Sequence, residues 1–145
     1  VRPGKPNLAA SSFASGIIRE PLAGVESVCP VDPDATGVWL LSPSRVVDAF
    51  IHAHDLPSAA WGTKRVINLP GLTVSVREML ATLGRVAGEQ VAKRVVYRPD
   101  AKIQAIVRTW PTRFRTERAL ALGFKADPDF ESVVRAHIRD ERIAV

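Results

Sequence analysis

Residues 38–55, VWLLSPSRVVDAFIHAHD, decide how this chain is to be read. Residues 38–41 are an almost continuous apolar run of strand length, and a helical pattern begins directly after them. Ser42 is a favourable N-cap, because its hydroxyl can accept from a backbone N–H of the first turn. Pro43 stands at the first helical position, where a missing N–H costs nothing. The spacing predicts Val46, Val47, Ala49, Phe50 and Ala53 as the buried face of this helix. A strand running straight into a helix is the repeating unit of an α/β fold.

Working outward, the same alternation recurs. KRVINLPG (64–71) reads as a strand bounded by Pro70 and Gly71. TVSVREMLATLGRVAG (73–88) carries a capping box, Ser75 with Glu78 three residues on, and Gly88 as its stop. AKRVVYRPD (92–100) is a further short strand, and PDAKIQAIVRTW (99–110) is a helix with Ile103, Ile106 and Val107 inside. PTRFRTERALALGF (111–124) gives a shorter helix ended by Gly123. DPDFESVVRAHIRDE (127–141) gives the last, with Asp127 as its cap and Pro128 at its first position. Upstream, NLAASSFASGIIREPLAG (7–24) places Leu8, Ala9, Ser12, Phe13, Gly16 and Ile17 near helical spacing, with Asn7 as N-cap and Pro21 and Gly24 as the end. VESVCPV (25–31) alternates as a half-buried strand, and DPDATG (32–37) is a turn. The order predicted is helix, two strands, helix, strand, helix, strand and three helices: an α/β chain with short strands, too few for a complete doubly wound sheet.

Composition sets bounds on function. The 145 residues suffice for one domain, and 46% apolar with 24% charged residues is the balance of a globular protein. No apolar run nears the ~20 residues of a membrane span and no signal-peptide pattern opens the chain, so a cytoplasmic protein without a membrane partner is expected. Cys29 is the only cysteine, which excludes an internal disulfide and a cysteine-based zinc site and fits a small core residue. The net charge of +5 would suit a nucleic acid only if concentrated, yet the one dense basic cluster, RTWPTRFRTER (108–118), is interrupted by Trp110, Pro111 and Glu117. No nucleic-acid partner is expected.

Several chemistries lack their motif. There is no GxGxxG and no P-loop, so nothing here binds a dinucleotide unaided. His52 and His54, two apart on a helix, diverge and converge on no metal, and His137 reads as a surface histidine. The serines of AASSFAS (9–15) have no nucleophile elbow around them, leaving helix capping or substrate contact as their roles. Four residues after Tyr97, the one tyrosine, stands Ala101 and not a lysine, so no Tyr-x-x-x-Lys pair is present.

Three segments in order resemble the C-terminal half of an extended short-chain dehydrogenase/reductase, the superfamily of nucleotide-sugar epimerases and dehydratases. RPGKPN…FASGIIREPLAG resembles the stretch from the family's Gly-Pro-Arg loop through its substrate-domain helix. VWLLSPSRVVDAFIHAHD resembles the segment usually carrying His-Val-Asp-Asp before an alanine-rich helix, and RVINLPGLTVSVREMLATLGRVAG the Tyr-Asn-hydrophobic-Gly strand and its following helix. The tail RALALGFKADPDFESVVRAHIRDE resembles the family's closing Leu-Gly-Trp, Pro and final helix, so the likeness covers nearly the whole chain. VRPGKPNLAASSFASGIIREPLAG and TWPTRF…RALALGF are similar, more narrowly, to the branch that oxidises the four-carbon sugar acid D-erythronate with NAD.

The resemblance implies that residues 1–145 are a substrate-binding C-terminal region beside an incomplete Rossmann sheet. It implies further that NAD is bound mainly by a preceding half, which also holds the catalytic Tyr and Lys, and that the intact enzyme is a homodimer. Where many nucleotide-sugar members carry Arg-Asp to pair with a diphosphate, this chain has Val38, Trp39 and Leu40, and the two acidic residues of the next motif are replaced by Ser44 and Arg45. A carbon-rich surface cannot neutralise two phosphates, which favours a small sugar acid as substrate. Such a ligand needs a cation for its carboxylate and polar partners for its hydroxyls. The candidates are Arg2, Asn7, Ser11 and Ser12 on one side, and Trp39, Arg108 and Arg113 on the other. A nucleotide-sugar epimerase of the same fold, and a non-catalytic basic interaction module, are the competing readings.

Overall fold

The computed structural model describes residues 1, 2, 4, 7 and 9–144; Leu8, expected on the first helix face, lies outside the described residues. In chain order the elements are α1 (Ser12–Leu22), β1 (Ser27–Cys29), β2 (Gly37–Leu40), α2 (Pro43–Asp55), α3 (Ser58–Trp61) and β3 (Leu72–Ser75). There follow α4 (Val76–Ala87), α5 (Glu89–Ala92), β4 (Val95–Tyr97), α6 (Ala101–Val107), α7 (Glu117–Ala121) and α8 (Phe130–Asp140). This is the predicted α/β order, with the short helices α3 and α5 added. The strands form two separate pairs. β1 and β4 run parallel, with Ser27 opposite Val95 and Cys29 opposite Tyr97. β2 and β3 run antiparallel, with Val38 opposite Val74 and Trp39 opposite Thr73.

The main core is built where α4 meets α1 and α8. Ile17 and Ile18 of α1, Val76, Met79 and Leu83 of α4, Val134 of α8, and Cys29 and Val31 are all fully buried. Each large aliphatic side chain so enclosed contributes about 1.5–3 kcal/mol. Cys29 is thus the small core residue that its solitude suggested. A satellite cluster joins Ala49, Ala119 and Phe124 to the flanks of Trp61 and Leu56.

The caps that the sequence announces are largely present. Ser42 Oγ accepts from the backbone N–H of Arg45 at 3.2 Å, with Pro43 opening α2. Ser75 Oγ accepts from the N–H of Glu78 at 3.1 Å, although the Glu78 carboxylate turns to Thr82 and Arg85 instead of closing the box. Asn7 is not the N-cap of α1 as expected: its Oδ1 accepts from the N–H of Ala9 at 3.1 Å and from the Ser12 hydroxyl, shaping the turn before α1. Ser11 holds the N-cap position without a side-chain bond.

Four expectations are corrected. On α2 only Ala49 is buried; Val47 and Phe50 of the predicted inner face are 56% and 72% exposed. Periodicity identifies an apolar face but not what lies opposite it, and no described element covers this side. Residues 64–71 form no strand, for lack of a neighbouring strand to complete a ladder. Two of its carbonyls are held by a side chain instead: Arg118 donates to Lys64 and Val66 at 2.6 and 3.1 Å, and to the Trp61 carbonyl of α3 at 2.7 Å. Asp127 does not cap the last helix, which Asp129 does by accepting from Ser132 N–H at 2.7 Å. Asp127 accepts from the backbone N–H and hydroxyl of Ser42 at 2.8 and 2.7 Å, tying the approach to α8 to the start of α2. His137 is buried, on the inner face of α8.

Candidate functional site

The parallel pairing of β1 with β4 creates the principal cleft. Beyond the last paired residues the ladder continues: Arg98 N–H donates to Cys29 C=O at 3.1 Å and Asp100 N–H to Pro30 C=O at 2.9 Å. Arg98, Pro99 and Asp100 are thereby laid beside α1, enclosing a cleft of about 550 Å³. Its polar lining includes Asn7, Ser12, Glu20, Ser27 and Arg98, and Phe13, Val28 and Ile103 give it an apolar floor. Asp100 is committed to α6, accepting from the N–H groups of Lys102 and Ile103 at 2.8 and 3.1 Å.

The charges in the cleft are unevenly matched. Among the described residues, Glu20, Glu26 and Asp100 line the cleft with one cation, Arg98, while Glu20 is paired with Arg19. Arg98 Nη2 donates to Glu26 Oε1 at 3.0 Å, and both partners are more than half exposed. An ion pair so solvated contributes little, so an incoming carboxylate can share the guanidinium fork. Glu20 is held from behind: Arg19 donates through Nε at 3.1 Å and Nη2 at 2.5 Å, both to Oε1, while Arg19 Nη1 reaches the Arg2 carbonyl at 2.9 Å. Oε2 of Glu20 is buried and has no hydrogen-bond partner among the described residues.

Of the seven residues expected to contact substrate, the structure brings Asn7 and Ser12 together on this cleft. Arg2 is exposed beside α1, with its N–H donating to Ser15 Oγ at 3.3 Å and its carbonyl taken by Arg19. Ser11 is exposed at the N-cap of α1. Trp39 lies elsewhere, its ring 5.5 Å from that of Phe114 and its edge against Gly71, where a Cβ would come within 2.8 Å of the indole. Arg108 ends α6 and Arg113 lies in the following segment, both exposed and neither among the residues lining this cleft. Sequence reasoning missed Glu20, Ser27 and Arg98. One signal pointed to Arg98: it directly follows a parallel strand, and open α/β sheets bind ligands beyond the carboxyl ends of their strands.

Other chemistries find no support among the described residues. No three His, Cys, Asp or Glu groups are placed to hold a metal ion. His52 Nε2 is engaged with the Leu122 carbonyl at 2.7 Å, with its ring edge-on to Phe124. Burial pushes the Cys29 thiol above its ordinary pKa, which disfavours the nucleophilic thiolate. No helix is long and apolar enough to cross a membrane. The β4–α6 connection has no glycine turn, and the α6 N-terminus is filled by its own Asp100 carboxylate.

No family model matches the chain. It is similar to a D-erythronate dehydrogenase of Cupriavidus necator, with 53% identity over 144 residues, 99% of this chain and 44% of that protein. A D-erythronate dehydrogenase of Haemophilus influenzae is 48% identical over 138 residues, 95% of this chain and again 44% of its relative. The chain therefore spans less than half the length of the curated relatives it matches. Among solved structures, a nucleoside-diphosphate-sugar epimerase of Agrobacterium tumefaciens superposes with a TM-score of 0.93 at 39% identity, covering 97% of this chain and 41% of that one.

Proposed function

Because this chain belongs to the extended short-chain dehydrogenase/reductase family, we propose that it forms the substrate-binding portion of an NAD-dependent dehydrogenase that oxidises a small sugar acid such as D-erythronate. The observation that carries the reading is the charge pattern of the described cleft lining: an arginine at the C-terminal end of β4 among carboxylates and amide or hydroxyl groups. A compact aldonate has one carboxylate to place on Arg98 and several hydroxyls to offer Asn7, Ser12, Glu20 and Ser27. The names of the Cupriavidus and Haemophilus relatives agree with this choice.

The cofactor supplies hydride acceptance, and its binding is assigned mainly to residues outside this chain, as are the acid/base groups. What this chain contributes is orientation. Fixing the carboxylate at Arg98 and the hydroxyls along α1 holds the carbon to be oxidised in one place, at the cost of substrate freedom that would otherwise raise the barrier.

The second reading is a nucleotide-sugar epimerase, favoured by the name of the Agrobacterium structure. Among the described lining residues a diphosphate would meet Glu26 and Asp100, and Glu20 already paired with Arg19, against the one cation Arg98, which weighs against it. The deciding experiment is NAD reduction by the full-length protein, screened against D-erythronate, other aldonates and nucleotide sugars. Turnover of aldonates is expected; interconversion of nucleotide sugars without net NAD reduction would replace this reading with the second. A cytoplasmic homodimer completes the proposal, on the family resemblance, and light scattering of the full-length protein tests its stoichiometry.

A further inference from the structure

Residues 64–69 have the features of a strand without a partner. Ile67 and Leu69 pack against the satellite cluster of Ala49, Ala119 and Phe124, while Val66 is 85% exposed. That alternation is the period of a half-buried strand. Arg118 reaches the carbonyls of Lys64 and Val66, two residues apart and therefore on the same side of an extended chain. In such a chain the N–H and C=O of one residue point to one edge and those of the next to the other. Lys64 and Val66 thus face the edge that Arg118 occupies. Arg65, Ile67 and Leu69 present their N–H and C=O to the opposite edge, where none of these groups has a backbone partner among the described residues. Beside packed side chains, unpaired backbone groups are costly to leave unmet. Next to this edge stands α2: its Ala49 and Ala53 share the cluster with Ile67 and Leu69. On the same helix Val47, Phe50 and Ile51, spaced three and four apart, form an adjoining exposed apolar face.

We propose that residues 65–69 pair, through the edge of Arg65, Ile67 and Leu69, with a β-strand from the remainder of the full-length polypeptide, whose adjoining structure covers Val47, Phe50 and Ile51 of α2. This rests on the reading of the chain as one portion of a longer enzyme, and not on the substrate assigned to it. The curated relatives are more than twice as long as the stretch that this chain matches in them, so most of such a polypeptide lies outside these 145 residues. A five-residue ladder with one helix face is a small contact for two separate molecules, whereas a segment of the same polypeptide is held at high effective concentration. Because Arg118 fills the opposite edge, residues 65–69 accept one strand and no second, and end the sheet they join.

The test is residue-resolved hydrogen exchange of the full-length protein, read without substrate and so independent of the aldonate assignment. The amides of Ile67 and Leu69 should exchange at least about a hundredfold more slowly than in an unstructured peptide, and that of Val66 about tenfold faster than either. Phe50→Asp sets a charge beneath the covering structure and should lower protection at Ile67 and Leu69 by about tenfold, while Met79 and Leu83 of the α4 core keep theirs. Phe50→Ser, the milder second variant, should act in the same direction by about threefold. Peptide-like exchange at Ile67 and Leu69 in the folded protein overturns the proposal. So does protection there that stays unchanged in both variants. Protection that vanishes on dilution from oligomer to monomer assigns the edge to a second copy, and overturns it as well.

Discussion

Replacing Asp127 by Ala should be among the most damaging single changes available outside the apolar core. The carboxylate accepts from Ser42 N–H at 2.8 Å and from Ser42 Oγ at 2.7 Å, across 85 positions of sequence. Asp127 and Ser42 are 8% and 2% exposed, so water does not readily replace the lost acceptor. Each buried donor left unmet costs about 1–3 kcal/mol, and bonds to a charged acceptor lie toward the upper end. Two such donors give a loss of roughly 3–5 kcal/mol. For a chain of this size each kcal/mol moves the melting temperature by about 2–4 °C, so calorimetry should record a fall of roughly 6–20 °C. Ser42→Ala removes the hydroxyl bond and the α2 cap together, yet leaves the backbone bond in place, for about 1–3 kcal/mol. In a double-mutant cycle the two changes should fall short of additivity by roughly 1–3 kcal/mol, because they share the Oγ–Oδ1 bond. Amide exchange at Arg45, whose N–H donates to Ser42 Oγ, should accelerate in both variants. A melting temperature for Asp127→Ala within about 2 °C of wild type, or additivity within about 0.5 kcal/mol, would refute the assignment of this tie as a main clamp between α2 and α8.

Three further outcomes are expected. Gly123 has φ 89°, and a Cβ there would come within 3.2 Å of His52 Nε2; Gly123→Ala should cost about 1–2 kcal/mol by urea unfolding, and a neutral result would remove the left-handed turn as a requirement. His137 has its pKa lowered, burial foremost; the folded state therefore favours the neutral ring, and its contribution to stability is complete above the unfolded pKa of about 6.5 and falls away as pH drops through that value toward the folded one. Melting curves across this window should slope less for His137→Phe than for wild type, and an equal slope would acquit His137. Phe50 is 72% exposed, so Phe50→Ser in the 145-residue chain should shift stability by less than about 0.5 kcal/mol, and a loss of core size in the same assay would contradict its exposure.

What the sequence made legible was what local chemistry decides. The caps at Ser42 and Ser75 need only a hydroxyl and an N–H one turn away, and the left-handed breaks at Gly24, Gly88 and Gly123 need only a missing Cβ. Element order followed from these. Burial was less legible, because a face is buried only by something opposite it: Phe50 and Val47 have apolar periodicity without a described neighbour, and His137, expected at the surface, is covered by the packing of α8. Asp127 was misassigned for a related reason. It sits where a cap for the last helix belongs, but its partner Ser42 lies 85 residues upstream and no local pattern announces that bond.

The cleft shows the same division, and adds a signal that strand patterning usually hides. Asn7 and Ser12 were found because they are close in sequence and bond each other, whereas Glu26 and Arg98, 72 positions apart, meet only through the register of β1 on β4. That register is well determined: it places Ser27 and Cys29 inward and leaves Val28 outward, 38% exposed. A slip of one residue would reverse every side chain, driving Cys29 out of the core and carrying Arg98 away from the cleft. Val28 facing outward is therefore informative. An apolar residue on the solvent side of a half-buried strand is uneconomical for a plain surface, yet with Phe13 and Ile103 it forms the cleft floor. The carbon face of a polyhydroxylated acid can rest on such a floor while its oxygens reach Arg98 and the polar groups of α1. On the proposed reading, the outward Val28 is a signal for the cleft floor that the choice of arginines as candidates passed over.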